Sequence, residues 1–112
     1  YPFLLPNGNT MVIPKGFEFD LASIPSWAHW AIAPEELSIV APLVHDYMYE
    51  EKGNVWTQVA AGTGVVNVME TYTRLEIDEL FYDIMRDEGI SWWRRNVAYR
   101  AVRWFGGSYF RN

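Results

Sequence analysis

The distribution of apolar and polar positions divides the chain into a β-like beginning, a central helix, an alternating middle and two closing helices. Pro6-Asn7-Gly8-Asn9 is a turn signal, Thr10 to Ile13 has the composition of a short strand, and Pro14-Lys15-Gly16 is a second turn. Phe17-Glu18-Phe19 alternates, which puts both phenylalanines on one face, and Asp20 stands at the end of that strand-like run. Ser26 can cap a short helix through residues 27–32, closed by Pro34. The main helix is expected to start near residues 39–41, because Pro42 is tolerated only in a first turn, and to run to about Lys52 with Gly53 as its stop. At about 100° per residue, Val40, Leu43, Val44, Tyr47 and Met48 share an apolar face, with His45 and Tyr49 one turn apart on its flank.

Residues 54–72 alternate around Gly62-Thr63-Gly64, which predicts a β-hairpin excursion. The Gly-x-Gly lacks the residues that would make it a phosphate loop. Thr73-Arg74-Leu75-Glu76 has the form of a capping box opening a helix that ends near Glu88-Gly89. Ile77, Leu80, Phe81, Ile84 and Met85 form its apolar face and Asp78 sits at the border. A last helix is expected over 92–105, burying Trp93, Val97, Ala101, Trp104 and Phe105, with Arg95, Asn96, Arg100 and Arg103 on the opposite side and Gly106-Gly107 as the end. The pattern therefore predicts one α+β domain, a small N-terminal β-element packed on three main helices.

With 112 residues, half of them hydrophobic, the chain can form one core without staples. The absence of cysteine excludes disulfides, thiolate zinc sites and a cysteine nucleophile. No apolar run reaches the roughly 18 residues of a spanning helix, and no signal peptide opens the chain. It begins at Tyr1 without a methionine, which leaves room for a leader or an extension ahead of it. The net charge is −5, yet residues 91–112 hold five arginines and no acid. Pairing of those arginines with Glu76, Glu79, Asp83 or Asp87 is expected to occupy the basic pole, so specific nucleic-acid binding is not expected.

The candidate chemistry centres on His45. An imidazole beside a carboxylate at the edge of a buried face can share a proton, a metal or a water, and it can equally be a structural hydrogen-bonding unit. Asp78 is the carboxylate of its helix best placed to reach inward, so a His45–Asp78 hydrogen bond across two helices is expected. Asp46, Asp20 and Ser23 complete the candidate set, and Asp46 with Asp20 or Asp78 would suit calcium, magnesium, manganese or zinc.

Three motifs in order, 20–25 (DLASIP), 45–49 (HDYMY) and 77–81 (IDELF), resemble a family of small phage and prophage proteins catalogued as domain of unknown function 1353, and the ending 99–106 (YRAVRWFG) looks like that family's close. The resemblance implies a phage or prophage origin, hence the host cytoplasm or the virion, and no assigned activity. The segment 54–72 looks longer than is usual there. His45-Asp46 with Tyr49 on one helix and Asp78 on a later one is also similar to secreted phospholipases A2. That likeness implies His45 as base, Asp78 as its orienting carboxylate and Asp46 as a calcium ligand. No glycine occurs in residues 21–44, where that family has its calcium loop, so backbone ligands would come from around Asp20 to Ser23. The order His29, His45-Asp46, Asp78 is similar to the metal ligands of the HD phosphohydrolases. Two readings result: a small phage-encoded hydrolase acting on an ester or phosphodiester through His45, Asp78 and Tyr49, or a virion-associated or host-binding protein in which Asp20, His45 and Asp78 form a buried polar lock.

Overall fold

The structure, a computed structural model, describes residues 1–17 and 40–111. The expected short helix at 27–32, the strand-like Glu18-Phe19 and the residues Asp20, Ser23 and His29 lie outside the described residues. Gly8, at φ +90, lets the first turn bring β1 (Pro2–Leu4) back against β2 (Thr10–Val12), antiparallel with Phe3 opposite Met11. β2 then pairs antiparallel with β3 (Asn54–Ala61), Met11 opposite Thr57, although more than forty residues separate them. β3 turns through Gly62-Thr63 into β4 (Gly64–Thr71), giving a four-stranded sheet in the order β1-β2-β3-β4. The expected hairpin is thus present, and Val55 and Thr57 near its base are buried.

α1 (Val40–Glu50) carries Pro42 in its first turn, where the missing N–H costs nothing. It ends with Lys52 rather than Gly53 taking the first left-handed position, φ 56, while the Lys52 and Gly53 N–H groups donate to the Tyr49 and Met48 carbonyls. Gly53 is also left-handed, and a Cβ there would collide with the Tyr72 carbonyl. α2 (Arg74–Asp87) opens with the predicted capping box: the Glu76 N–H donates to Thr73 Oγ1 at 3.1 Å and the Thr73 N–H to Glu76 Oε1 at 2.8 Å.

α3 (Trp92–Phe105) has the predicted bounds but a different buried face. Ala98, Ala101 and Val102 are buried, whereas Trp93 is 54% and Trp104 70% exposed. Two alanines let the helix backbone approach α2 closely, which a face of indole rings could not do, and this rotation turns Arg103 inward. Gly106 caps α3, and Gly107 opens a short α4 (Gly107–Arg111) instead of ending the structure. The core gathers Met11, Val55, Val44, Met48, Ile77, Phe81, Met85 and Val102 between the sheet and the helices. Among the described residues, no helix is long and apolar enough to cross a membrane.

Candidate functional site

The spacing of four between His45 and Tyr49 places them on one flank of α1, ring centroids 4.1 Å apart, and Phe81 of α2 also packs on the imidazole, centroids 4.7 Å apart. Asp78 faces them from the second turn of α2. The expected cross-helix bond is present: His45 Nε2 lies 2.8 Å from Asp78 Oδ1. Tyr49 donates its hydroxyl to the same oxygen at 2.6 Å, and Arg103 of α3 donates Nη1 to Oδ2 at 2.8 Å. His45, Tyr49 and Asp78 are 1%, 2% and 0% exposed.

Burial alone would push the Asp78 carboxyl up, but bonds from His45, Tyr49 and Arg103 outweigh it and hold the pKa below the ordinary aspartate value. An ionised carboxylate only accepts, so Nε2 of His45 carries the proton that it donates. Burial and the adjacent Asp78 charge raise the Tyr49 hydroxyl well above the usual tyrosine range, so it stays a neutral donor. The Asp78 charge likewise raises Arg103.

Two arginines complete the centre. Arg74 lies one turn before Asp78, its Nε 4.0 Å from Oδ2, and donates Nε to the Tyr49 hydroxyl at 3.1 Å. Its Nη2 donates to the carbonyls of Val102 at 2.6 Å and Arg103 at 2.5 Å in the last turn of α3, where the Val102 carbonyl also accepts from the Gly106 N–H at 2.9 Å. Gly106 lets Tyr49 reach this corner, since a Cβ there would lie 2.6 Å from the Val102 carbonyl and 3.0 Å from the tyrosine ring. Arg74 was not among the sequence candidates and Arg103 was placed on the outer face. The signal for Arg74 was its i, i+4 spacing to the one inward carboxylate of α2.

The basic pole is partly occupied from within, but not by the acids expected. Arg103 pairs with Asp78, and Arg95 donates to the Tyr82 hydroxyl at 3.0 Å and the Ile90 carbonyl at 3.0 Å while its guanidinium lies over the Tyr82 ring. Asp83 and Asp87 pair with Arg86 of their own helix.

Of the remaining candidates, Asp46 is half-buried on α1, next to His45 but outside the bonds to Asp78 just described. Among the described residues, no three His, Asp or Glu side chains converge as a metal site. Three grooves, one of about 520 Å³ lined by Glu79, Tyr82, Asp83, Asn96 and Tyr99, one of about 410 Å³ beside Leu5, Leu80 and Arg86 and one of about 370 Å³ beside Asn7, Glu70 and Tyr72, include neither His45 nor Asp78.

A second carboxylate centre went unforeseen. Glu70 shares the inner face of the hairpin with Thr57 and accepts from Thr57 at 2.7 Å, Asn9 at 2.6 Å, Asn7 at 2.8 Å and the Tyr72 hydroxyl at 2.8 Å. Partial burial opposes ionisation, yet these four donors together lower the carboxyl to about 2. Strand alternation, which points this lone acid of the hairpin inward, was the signal for it.

No curated protein and no solved structure matches the chain. A family model does, over residues 1–102, a span that holds His45, Tyr49, Arg74 and Asp78 and stops one residue short of Arg103. That model is described as a protein of unknown function (DUF1353), and the chain belongs to this family.

Proposed function

We propose that the chain is a non-catalytic domain of a phage or prophage assembly, in which the Asp78 centre fixes the packing of three helices and the outer surface does the work. The observation that carries this reading is the condition of Asp78. Its side chain is wholly buried, both oxygens are engaged, and the imidazole it holds is 1% exposed. A general base must meet a water or substrate proton at about 3 Å. With Nε2 committed to Asp78, only Nδ1 of an enclosed ring is left for that task.

One feature favours the hydrolase. A carboxylate orienting an imidazole at 2.8 Å is the arrangement that acid–base catalysis uses, with Tyr49 beside it. In that reading Asp46 with Asp20 would hold a divalent cation and Ser23 would belong to the same site. The two readings separate on one experiment, in which the protein and its Asp78→Asn and His45→Gln variants are offered carboxyl esters and phosphodiesters, with and without calcium, magnesium, manganese or zinc. No turnover by any of them, with lowered melting temperatures for both variants, is the expected result. Turnover by the parent protein that both variants lose while staying folded would establish the hydrolase.

A further inference from the structure

Among the described residues, the hairpin leaves one long sheet edge without a partner strand. β4 is eight residues long and mostly exposed, with Val65 at 61%, Val66 at 48%, Val68 at 40% and Met69 at 43%. Natural sheets protect such an edge with charges, proline, a bulge or shortness. At the opposite edge β1 has two of these, being three residues long and opening on Pro2. β4 has none of them along its outer length, for between Lys52 and Glu70 the chain carries no charged residue at all.

The phase of the hairpin decides which backbone groups face outward. The Tyr72 N–H donates to the Gly53 carbonyl, and the register then alternates in steps of two, so Glu70, Val68, Val66 and Gly64 bond to β3. The tight turn agrees, with Gly62 at φ +60 in the first central position of a type II′ turn closed by Ala61 and Gly64. The N–H and C=O groups of Val65, Asn67 and Met69 therefore point to the free edge.

These three residues are arranged symmetrically. Residues 65–69 read Val-Val-Asn-Val-Met, nearly the same in both directions about Asn67. We propose that β4 pairs antiparallel with β4 of a second copy of this chain about a two-fold axis at Asn67, joining two four-stranded sheets into one. Asn67 then lies opposite Asn67 of the second copy, and Val65 opposite Met69, all as hydrogen-bonded pairs. Val66 lies opposite Val68 on the inner face, and Glu70 opposite Gly64, so every apolar side chain of the strand meets an apolar one and no like charges face each other. For a chain of net charge −5, this neutral hairpin is the surface on which two copies meet with least repulsion. The pairing is isologous and closes at two, since β1 is too short to extend the sheet further. It holds whichever reading of the His45 centre is right.

The absence of cysteine provides a direct test. In a hydrogen-bonded antiparallel pair the facing Cα atoms are about 5.5 Å apart, within disulfide range. Asn67→Cys should therefore give a disulfide-linked dimer under mild oxidation, while Gln58→Cys, one strand further from the axis, should not. Sedimentation of the parent protein between about 10 μM and about 1 mM, the range where modest interfaces associate, should show monomer and dimer in equilibrium. Asn67→Lys sets two like charges on the axis and should be monomeric with an unchanged circular dichroism spectrum. Asn67→Pro, which removes only an outward N–H, should be monomeric as well. A parent protein that stays monomeric throughout, a dimer that survives Asn67→Lys, or equal cross-linking at positions 58 and 67 would each overturn the proposal.

Discussion

Asp78 and Glu70 are two carboxylates with the same formal task and opposite surroundings. Asp78 is enclosed and takes its bonds from an imidazole, a phenol and a guanidinium on two other helices. Glu70 is only half-buried and takes four bonds from neutral groups, two asparagines of the first turn, a threonine and a tyrosine. Both end with lowered pKa values, but only Asp78 holds charged groups that would be stranded without it. Depth and charge, not the number of bonds, set how much the fold depends on each.

Asp78→Asn should have the largest effect. Removing one partner of a buried charge pair is strongly destabilising, and since Arg103 keeps part of its side chain in water the expected loss is about 2–3 kcal/mol. Urea unfolding at neutral pH measures it, and a loss smaller than that of Glu70→Gln would reverse the ranking. Tyr49→Phe should cost about 1 kcal/mol, because Asp78 loses one neutral donor while His45 and Arg103 remain. If Tyr49→Phe cost as much as Asp78→Asn, the hydroxyl and not the charge would be the keystone. Glu70→Gln should be the mildest, about 0.5–1 kcal/mol, with solvent screening much of the charge.

Acid sharpens the same contrast. A carboxyl whose folded pKa is below its unfolded one adds stability above the unfolded value and loses it as pH falls through the folded value. For Glu70 that window runs from the ordinary 4.5 down to about 2. The stability difference between the parent protein and Glu70→Gln should therefore shrink across that window. A difference that stayed constant over it would mean that Glu70 does not titrate as its four donors imply.

Local signals in the sequence were transmitted faithfully to the fold. The capping box at Thr73, the turn at Gly62, Pro42 in a first turn and the inward set of Asp78 depend on residues within one or two turns of each other, and each appears as expected. What was not legible depends on reach and rotation. Arg103 reaches Asp78 through a long side chain that crosses to another helix, and the reach of Arg74 to Tyr49 and the end of α3 is likewise a cross-helix contact, which no spacing along one helix encodes. α3 buries Ala98 and Ala101 in place of its tryptophans because closeness to α2 outweighed the larger apolar area of the indoles. Glu70 finds Asn7 and Asn9 only because β2 docks beside β3 from far along the chain.

That last docking also bears on the order of folding. The bonds from Asn7 and Asn9 to Glu70 span 63 and 61 residues, whereas the β3–β4 hairpin closes over a two-residue turn. Short loops close first and long ones late, so the hairpin and the α2 cap form early and the β1–β2 ribbon latches onto Glu70 near the end. Weakening that latch should leave the refolding rate nearly unchanged and speed unfolding, the mark of a contact made after the transition state. The N-terminal ribbon would then be the first part of the sheet to let go.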